Sequence, residues 1–266
     1  METEDAFSTL ASDGRVWAVP SIHGEAGRLK AINEAMFKGF RPTDKLVYLG
    51  NMIGHGPWVR ETIDELLLMR RRLMSEKGVD PKDVVFLRGG QEEMWQKLLV
   101  LQMAADPAGV FKWMVGHGIE ATLNAYGSSA AEGLDAAEHS VIKLTRWTNM
   151  LRDRLRENDG HTTFFSSLKR AARLQNNALL FVNADINSKV PLSEQADTFW
   201  WGGGDFDDIE EPYSGFAMVV RGYDPKRRGI QFTAYTATLD NLCGRGGVLE
   251  AVCFGADGTI QERFEA

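Results

Sequence analysis

Lys45-Leu46-Val47-Tyr48-Leu49-Gly50-Asn51-Met52-Ile53-Gly54-His55-Gly56-Pro57 is the stretch on which the fold reading turns. A β-prone, mostly apolar run passes directly into a loop with three glycines and a proline. Glycine enters left-handed backbone conformations at little cost, so this loop suits an abrupt change of chain direction. Pro57 suits a first helical turn, and Val59, Ile63, Leu66, Leu67 and Met74 follow at helical spacing. The unit reads strand, loop, helix.

The same unit lies on either side. Before it, the run 15–19 is closed by Pro20 and the loop Ser21-Ile22-His23-Gly24. A helix over 25–38 then places Leu29, Ile32, Ala35 and Met36 on one face. After it, the run 84–87 enters Arg88-Gly89-Gly90-Gln91-Glu92 and a further helix carrying Met94, Leu98 and Leu99. Apolar strands alternating with helices predict parallel pairing through right-handed crossovers. Ligands of such sheets collect at the carboxyl ends of the strands, where all three loops would sit.

Residues 93–173 read as mostly helical, with breaks at Gly116-His117-Gly118 and Tyr126-Gly127-Ser128-Ser129. No Pro/Ser-rich linker bounds this segment, which makes it an insertion and not a separate domain. Short strands follow at 178–182, 216–220, 231–236, 248–254 and 259–264. Their valine, threonine and aromatic content predicts that the last four form an antiparallel set.

With 44% hydrophobic and 25% charged residues the 266-residue chain has the balance of a globular protein with a sizeable core. No apolar run approaches the roughly 20 residues a spanning helix needs, so no membrane role is expected. A net charge of −7 argues against general affinity for nucleic acid. Met1-Glu2-Thr3-Glu4-Asp5 is acidic, the wrong sign for a secretory or mitochondrial leader. Cys243 and Cys253 lack metal-type spacing and read as small apolar residues in a reducing cytoplasm. Arg70-Arg71-Arg72 reads as a solvated helix face and Lys226-Arg227-Arg228 as a hairpin tip. The acidic run from Asp205 to Glu211 reads as a solvated loop, and Trp200-Trp201 as residues packed against the helical segment. His117, His139 and His161 read as incidental.

Taken in order, these loops resemble the calcineurin-like metallophosphoesterases, nearest the bacterial serine/threonine protein phosphatase and diadenosine tetraphosphatase-like branch. Ser21-Ile22-His23-Gly24 stands where that family has Asp-x-His-Gly, and Gly50 to Gly56 where it has Gly-Asp-x-x-Asp-Arg-Gly. Gly89-Gly90-Gln91-Glu92 stands for Gly-Asn-His-Glu, Asn183-Ala184-Asp185 for His-Ala-Gly and Gly222-Tyr223-Asp224 for Gly-His-Thr. Further likeness lies in Pro191-Leu192-Ser193-Glu194-Gln195, in Val219-Val220-Arg221-Gly222 and in Leu239-Asp240 followed by Gly246-Gly247-Val248-Leu249. Gly118 with Ala121-Thr122-Leu123-Asn124-Ala125-Tyr126-Gly127 adds to it, so the resemblance spans about residues 15–255. It implies a single α/β domain over 1–266: a two-sheet β-sandwich flanked by helices, with a helical insertion over about 93–173.

In that family two cations activate a bridging hydroxide and clamp the phosphate oxygens. Here the expected ligands are replaced by Ser21, Asn51, Gly90, Asn183 and Tyr223, and only His23 matches. The second Asp and the Arg of the second motif are Gly54 and His55, and the leaving-group His is Gln91. Glu92 matches, but in the family it supports the site instead of binding metal. Loss of supporting residues alone weakens metal binding about 10–100-fold. The resemblance therefore implies no metal cofactor and no catalytic residue. It implies a pseudophosphatase serving as an interaction or regulatory module for a protein partner or a small phosphorylated ligand. Two alternatives stay open: hydrolysis through rearranged residues such as His23, His55, Asp185 and Asp224, or a phosphate- or nucleotide-binding module without turnover.

Overall fold

A computed structural model of the chain describes residues 6–266; the acidic stretch Met1 to Asp5, considered above for its charge, lies outside the described residues. The chain opens with β1 (Phe7–Leu10) and β2 (Val16–Val19), followed by α1 (Ala26–Gly39), β3 (Lys45–Tyr48), α2 (Val59–Lys77) and β4 (Val84–Phe86). The helical segment comprises α3 (Gly90–Leu99), α4 (Pro107–Gly116), α5 (Ile119–Ala125), α6 (Ala130–His139), α7 (Val141–Arg156) and α8 (His161–Ser167). Then come β5 (Ala171–Leu174), β6 (Leu179–Val182), the one-turn α9 (Thr198–Trp201), β7 (Met218–Arg221), β8 (Gln231–Phe232), β9 (Thr236–Thr238), β10 (Glu250–Phe254) and β11 (Ile260–Glu265).

Two sheets form, in the orders β1-β5-β6-β7-β9-β8 and β11-β10-β2-β3-β4. The three sequence units pair parallel as expected: Val16 opposite Lys45 in β2–β3 and Leu46 opposite Val84 in β3–β4. β2, β3, β4 and β6 are buried on both faces, which is why they read as unbroken apolar runs. Alternate side chains divide between two layers. Val16, Ala18, Val47 and Val85 meet Leu174, Leu179, Phe181 and Val220 between the sheets. Trp17, Val19, Leu46, Tyr48 and Phe86 face the other way and pack against α1, α2 and α3–α8. The outer face of the six-stranded sheet, including Leu180, Val182 and Val219, is covered by Phe199, Trp200, Phe206 and Ile209. The architecture is the two-sheet α/β sandwich with flanking helices that the sequence predicts.

Several elements differ from expectation. The last four strands are not one antiparallel set. β7 runs parallel to both β6 and β9, while β10 and β11 belong to the other sheet. Composition reports strand propensity but not partner, which long-range pairing decides. The run 231–236 is broken into β8 and β9 because the Thr233 hydroxyl accepts from the Tyr235 and Thr236 N–H groups and folds a tight turn. β1 and β5 give no legible signal in the sequence, and β5 truncates the helical region expected to reach 173. Pro57 precedes α2 instead of opening it, since Trp58 is the cap residue. The breaks at 116–118 and 126–129 fall where predicted, the second ending in Ser129, whose hydroxyl accepts from Glu132 N–H at 3.2 Å.

Candidate functional site

The loops after β2, β3, β4, β6 and β7 converge at one edge of the sandwich and are tied to one another through the backbone. Asn51 O accepts from the N–H groups of Ile22 (3.0 Å) and His23 (2.8 Å), and Met52 O from Gly24 N–H (2.9 Å). Ser21 N–H donates to Gly222 O at 3.0 Å, and Tyr223 N–H to Asn183 O at 2.9 Å. His23, Asn51 and His55 all have φ between 52° and 54°, left-handed values that cost non-glycine residues energy. Such backbone persists only where the surroundings over-determine it, and it concentrates at functional sites.

Glu92 supplies much of that determination. Its buried carboxylate accepts from four N–H groups: Gly89 and Asn51 (each 2.8 Å), Met52 (2.7 Å) and Ile53 (3.1 Å). Burial raises its pKa against the pull of these donors. Asn51 joins three loops: its Nδ2 donates to Ser21 Oγ at 3.3 Å, and its Oδ1 accepts from Gln91 N–H at 3.0 Å.

These loops open onto a cavity of about 540 Å³. Of the residues singled out in the sequence, His23, Asn51, His55, Gly90, Gln91 and Tyr223 line it. The His23 and His55 rings stand edge to face, 4.9 Å apart. Burial, with Arg245 and Arg227 nearby, lowers the pKa of His55 to about 4. Burial, His55 and Arg245 likewise hold His23 well below the ordinary imidazole value. Both rings are therefore neutral at pH 7. Gln91 Nε2 reaches across to His117 O at 2.8 Å, joining the α3 terminus to the α4–α5 turn.

The other six singled-out residues lie behind the wall. Ser21 is buried beneath Asn51. Gly54 lies against Gln91, whose Oε1 would be 2.2 Å from any Cβ there. Asn183 Nδ2 donates to Leu49 O at 2.6 Å. Asp185 closes its own loop by accepting from Ile186 (2.8 Å), Gly204 (3.0 Å) and Phe206 (3.1 Å) N–H groups, and burial raises its pKa. Asp224 pairs with Arg221 at 3.0 Å and Arg228 at 2.9 Å. Burial pushes its pKa upward, but the hydrogen bonds from Arg228 and the attraction of Arg221 outweigh that and leave it lowered. Of the residues named above for a rearranged hydrolase, Asp185 and Asp224 are therefore turned away from the cavity, saturated by N–H groups and guanidiniums.

That geometry bears on a dimetal centre. Among the described residues no group of three or more His, Cys, Asp or Glu side chains is placed to hold a metal ion. His23, the cavity imidazole that matches a metal-ligand motif, has Asn51 as a neighbour in place of a carboxylate and Tyr223 in place of an imidazole. The donor set does not fit two divalent cations.

Sequence reading missed half of the cavity. Among the described residues Arg227 and Arg245 supply its only charged side chains, and Trp113, Trp201 and His117 form a wall. The Trp113 ring stacks on His117 (4.1 Å) and meets Trp201 edge to face (5.4 Å). Trp200 is buried as expected, but Trp201 is 37% exposed and faces the cavity. His117, read as incidental, is part of the site. Arg245, flanked by Gly244 and Gly246 in the loop before β10, was the available signal: a guanidinium in a glycine-rich turn.

No family model and no curated protein matches the chain. Solved structures do. A candidate diadenosine tetraphosphatase aligns over 98% of both chains with 19% identity and a TM-score of 0.57. A cold-active protein tyrosine phosphatase aligns over 98% of this chain and 82% of its own, with 13% identity and a TM-score of 0.52. A serine/threonine protein phosphatase from Saccharomyces cerevisiae gives 98% and 84%, 15% identity and a TM-score of 0.51. At these identities the likeness is one of fold.

Proposed function

We propose that this chain, which has the calcineurin-like metallophosphoesterase fold, is a pseudophosphatase: a phosphatase-like scaffold that does not run two-metal hydrolysis and acts as an interaction or regulatory module. One observation carries the reading. The carboxylates around the cavity, Glu92, Asp185, Asp224 and Asp240, are each committed to backbone N–H groups or arginines, so none is free to offset the charge of a cation. Replacing these bonds with metal ligation would leave several buried donors unsatisfied, at about 1–3 kcal/mol each. The module is taken as one domain over 1–266, supported by the helices α3–α8 sharing a core cluster with α1 and α2. Among the described residues no helix is long and apolar enough to cross a membrane. Cys243 and Cys253, both buried and unpaired, support a reducing, cytoplasmic setting.

The test is direct. Purified protein with added manganese is expected to bind less than one equivalent of metal and to leave generic phosphomonoesters and phosphopeptides intact. Two cations per chain, with turnover that disappears in His23→Ala, would overturn the reading in favour of a rearranged hydrolase.

A further inference from the structure

Four arginines lie in or near the loops after β7 and β9, and they divide into two pairs. Arg221 and Arg228 are neutralised by Asp207 and Asp224 at 2.6–3.0 Å. Arg227 and Arg245 form no ion pair with any carboxylate among the described residues, and these are the two that line the cavity. Arg245 is held in place: one Nη2 hydrogen is donated to His55 Nε2 at 2.8 Å, and the guanidinium lies 5.8 Å from the centre of the Tyr223 ring. Its other terminal nitrogen, Nη1, is buried without any partner. A guanidinium placed by one bond and left with unpaired donors is a half-satisfied group, and buried donors are otherwise nearly always paired. An oxyanion in the cavity would be held by the guanidinium's charge and by the Nη2 hydrogen that His55 leaves free.

The opposite wall has a different chemistry. Trp113 is 45% exposed and Trp201 37%, both against the cavity. A Cβ at Gly90 would stand 3.0 Å from the Trp201 ring, so the absence of a side chain there lets the indole lie across the start of α3. Exposed indoles offer faces on which a flat ring can stack. The cavity, at about 540 Å³, is in the size class that holds a small organic ligand and larger than a lone oxyanion needs.

We propose that this cavity binds phosphate monoesters carrying a flat aromatic group, with Arg245 and Arg227 on the phosphate and Trp113 and Trp201 against the ring. This deepens the module reading above and rests on it: the ligand is held, not turned over. Arg245 and Arg227 occupy with fixed positive charge the role that cations would otherwise have. The shared chemistry covers a nucleoside monophosphate and a phosphorylated aryl group alike.

Titration of the full chain with phenyl phosphate, adenosine monophosphate, glycerol 3-phosphate and inorganic phosphate, read by indole fluorescence and calorimetry, tests the proposal. Phenyl phosphate and adenosine monophosphate are expected to bind about fivefold tighter than glycerol 3-phosphate, a difference of about 1 kcal/mol, through ring contacts with the indoles. Whichever aromatic ester binds tighter identifies the source. Arg245→Gln is expected to weaken both about tenfold or more, as loss of a charge-assisted hydrogen bond does. Because Arg245 also supports His55, the exposed Arg227→Gln provides a second variant that leaves the buried loops untouched. Trp201→Leu should abolish the preference for aromatic esters while leaving inorganic phosphate binding unchanged. Equal binding of the aliphatic and aromatic esters, or full affinity in both arginine variants, would overturn the proposal. Aromatic esters that bind but are hydrolysed with manganese would sink the pseudophosphatase reading and leave the ligand class standing.

Discussion

Arg245 donates a hydrogen bond to His55 Nε2 at 2.8 Å across 190 residues of sequence. Because a guanidinium only donates, His55 Nε2 must be the unprotonated ring nitrogen. The bond exists with a neutral imidazole and is lost when the ring is protonated.

His55 titrates at about 4 in the folded chain against an ordinary 6.5, through burial first and the charges of Arg245 and Arg227 second. Between these values the unfolded chain binds more protons than the folded one, so stability falls as pH drops from about 6.5 towards 4. His23, lowered in the same direction, adds to the effect. Denaturant unfolding from pH 7.5 to 4.5 is expected to show this loss, with a shallower slope in His55→Gln. Parallel slopes in the two proteins would show that the ring is not held neutral.

Glu92→Ala removes one acceptor from four buried N–H groups. It is expected to destabilise the chain by about 3 kcal/mol or more, since each orphaned donor costs about 1–3 kcal/mol and water reaches some of them. A shift in the urea midpoint corresponding to less than about 1 kcal/mol would show that the strained loops do not depend on this carboxylate.

Asp224→Asn separates a structural from a catalytic role. Asp224 is fully buried between Arg221 and Arg228, so the amide is expected to cost about 3 kcal/mol of stability. Ligand affinity of the folded variant should fall no further than in Arg227→Gln, since Asp224 does not face the cavity and acts there only by holding the Lys226 and Arg228 N–H groups on either side of Arg227. A variant of normal stability with lost ligand binding would reverse the assignment.

Restoring metal ligands at Ser21→Asp, Asn51→Asp, Gly90→Asn, Asn183→His and Tyr223→His meets a specific obstacle. A Cβ at position 90 comes within 3.0 Å of the Trp201 ring and 2.9 Å of Trp200 O. The fivefold variant is therefore expected to bind manganese no better than the parent, and to improve only in part once Trp201→Ala is added, because the Trp200 carbonyl stays in place. Equal manganese affinity with and without Trp201 in calorimetric titration would show that the indole does not hold this space.

Much of the architecture was legible from local pattern. Three strand–loop–helix units announced themselves through apolar runs and glycine loops, and the order of five loops pointed to one edge of a sandwich. β1 and β5 were not legible, because four-residue strands with one or two large apolar side chains resemble ordinary loop. The assignment of β7 to β11 to one antiparallel set failed for a related reason: a strand's composition carries no record of which neighbour it will pair with.

The sequence by itself determined where the loops fall and which residues stand at their tips, because glycine, proline and apolar periodicity act over a few residues. It also showed that Ser21, Asn51, Gly90, Asn183 and Tyr223 bring no carboxylate or imidazole to those loops, since that follows from residue identity alone. Only the tertiary structure decided which way Asp185 and Asp224 turn, and that Trp113, Trp201, Arg227 and Arg245 share one cavity. Those four lie up to 132 residues apart, and what joins them is sheet pairing and helix packing. Burial and unpaired hydrogen-bond capacity are properties of that assembled environment, so the site's positive charge became visible only when the competing carboxylates were seen to be already paired.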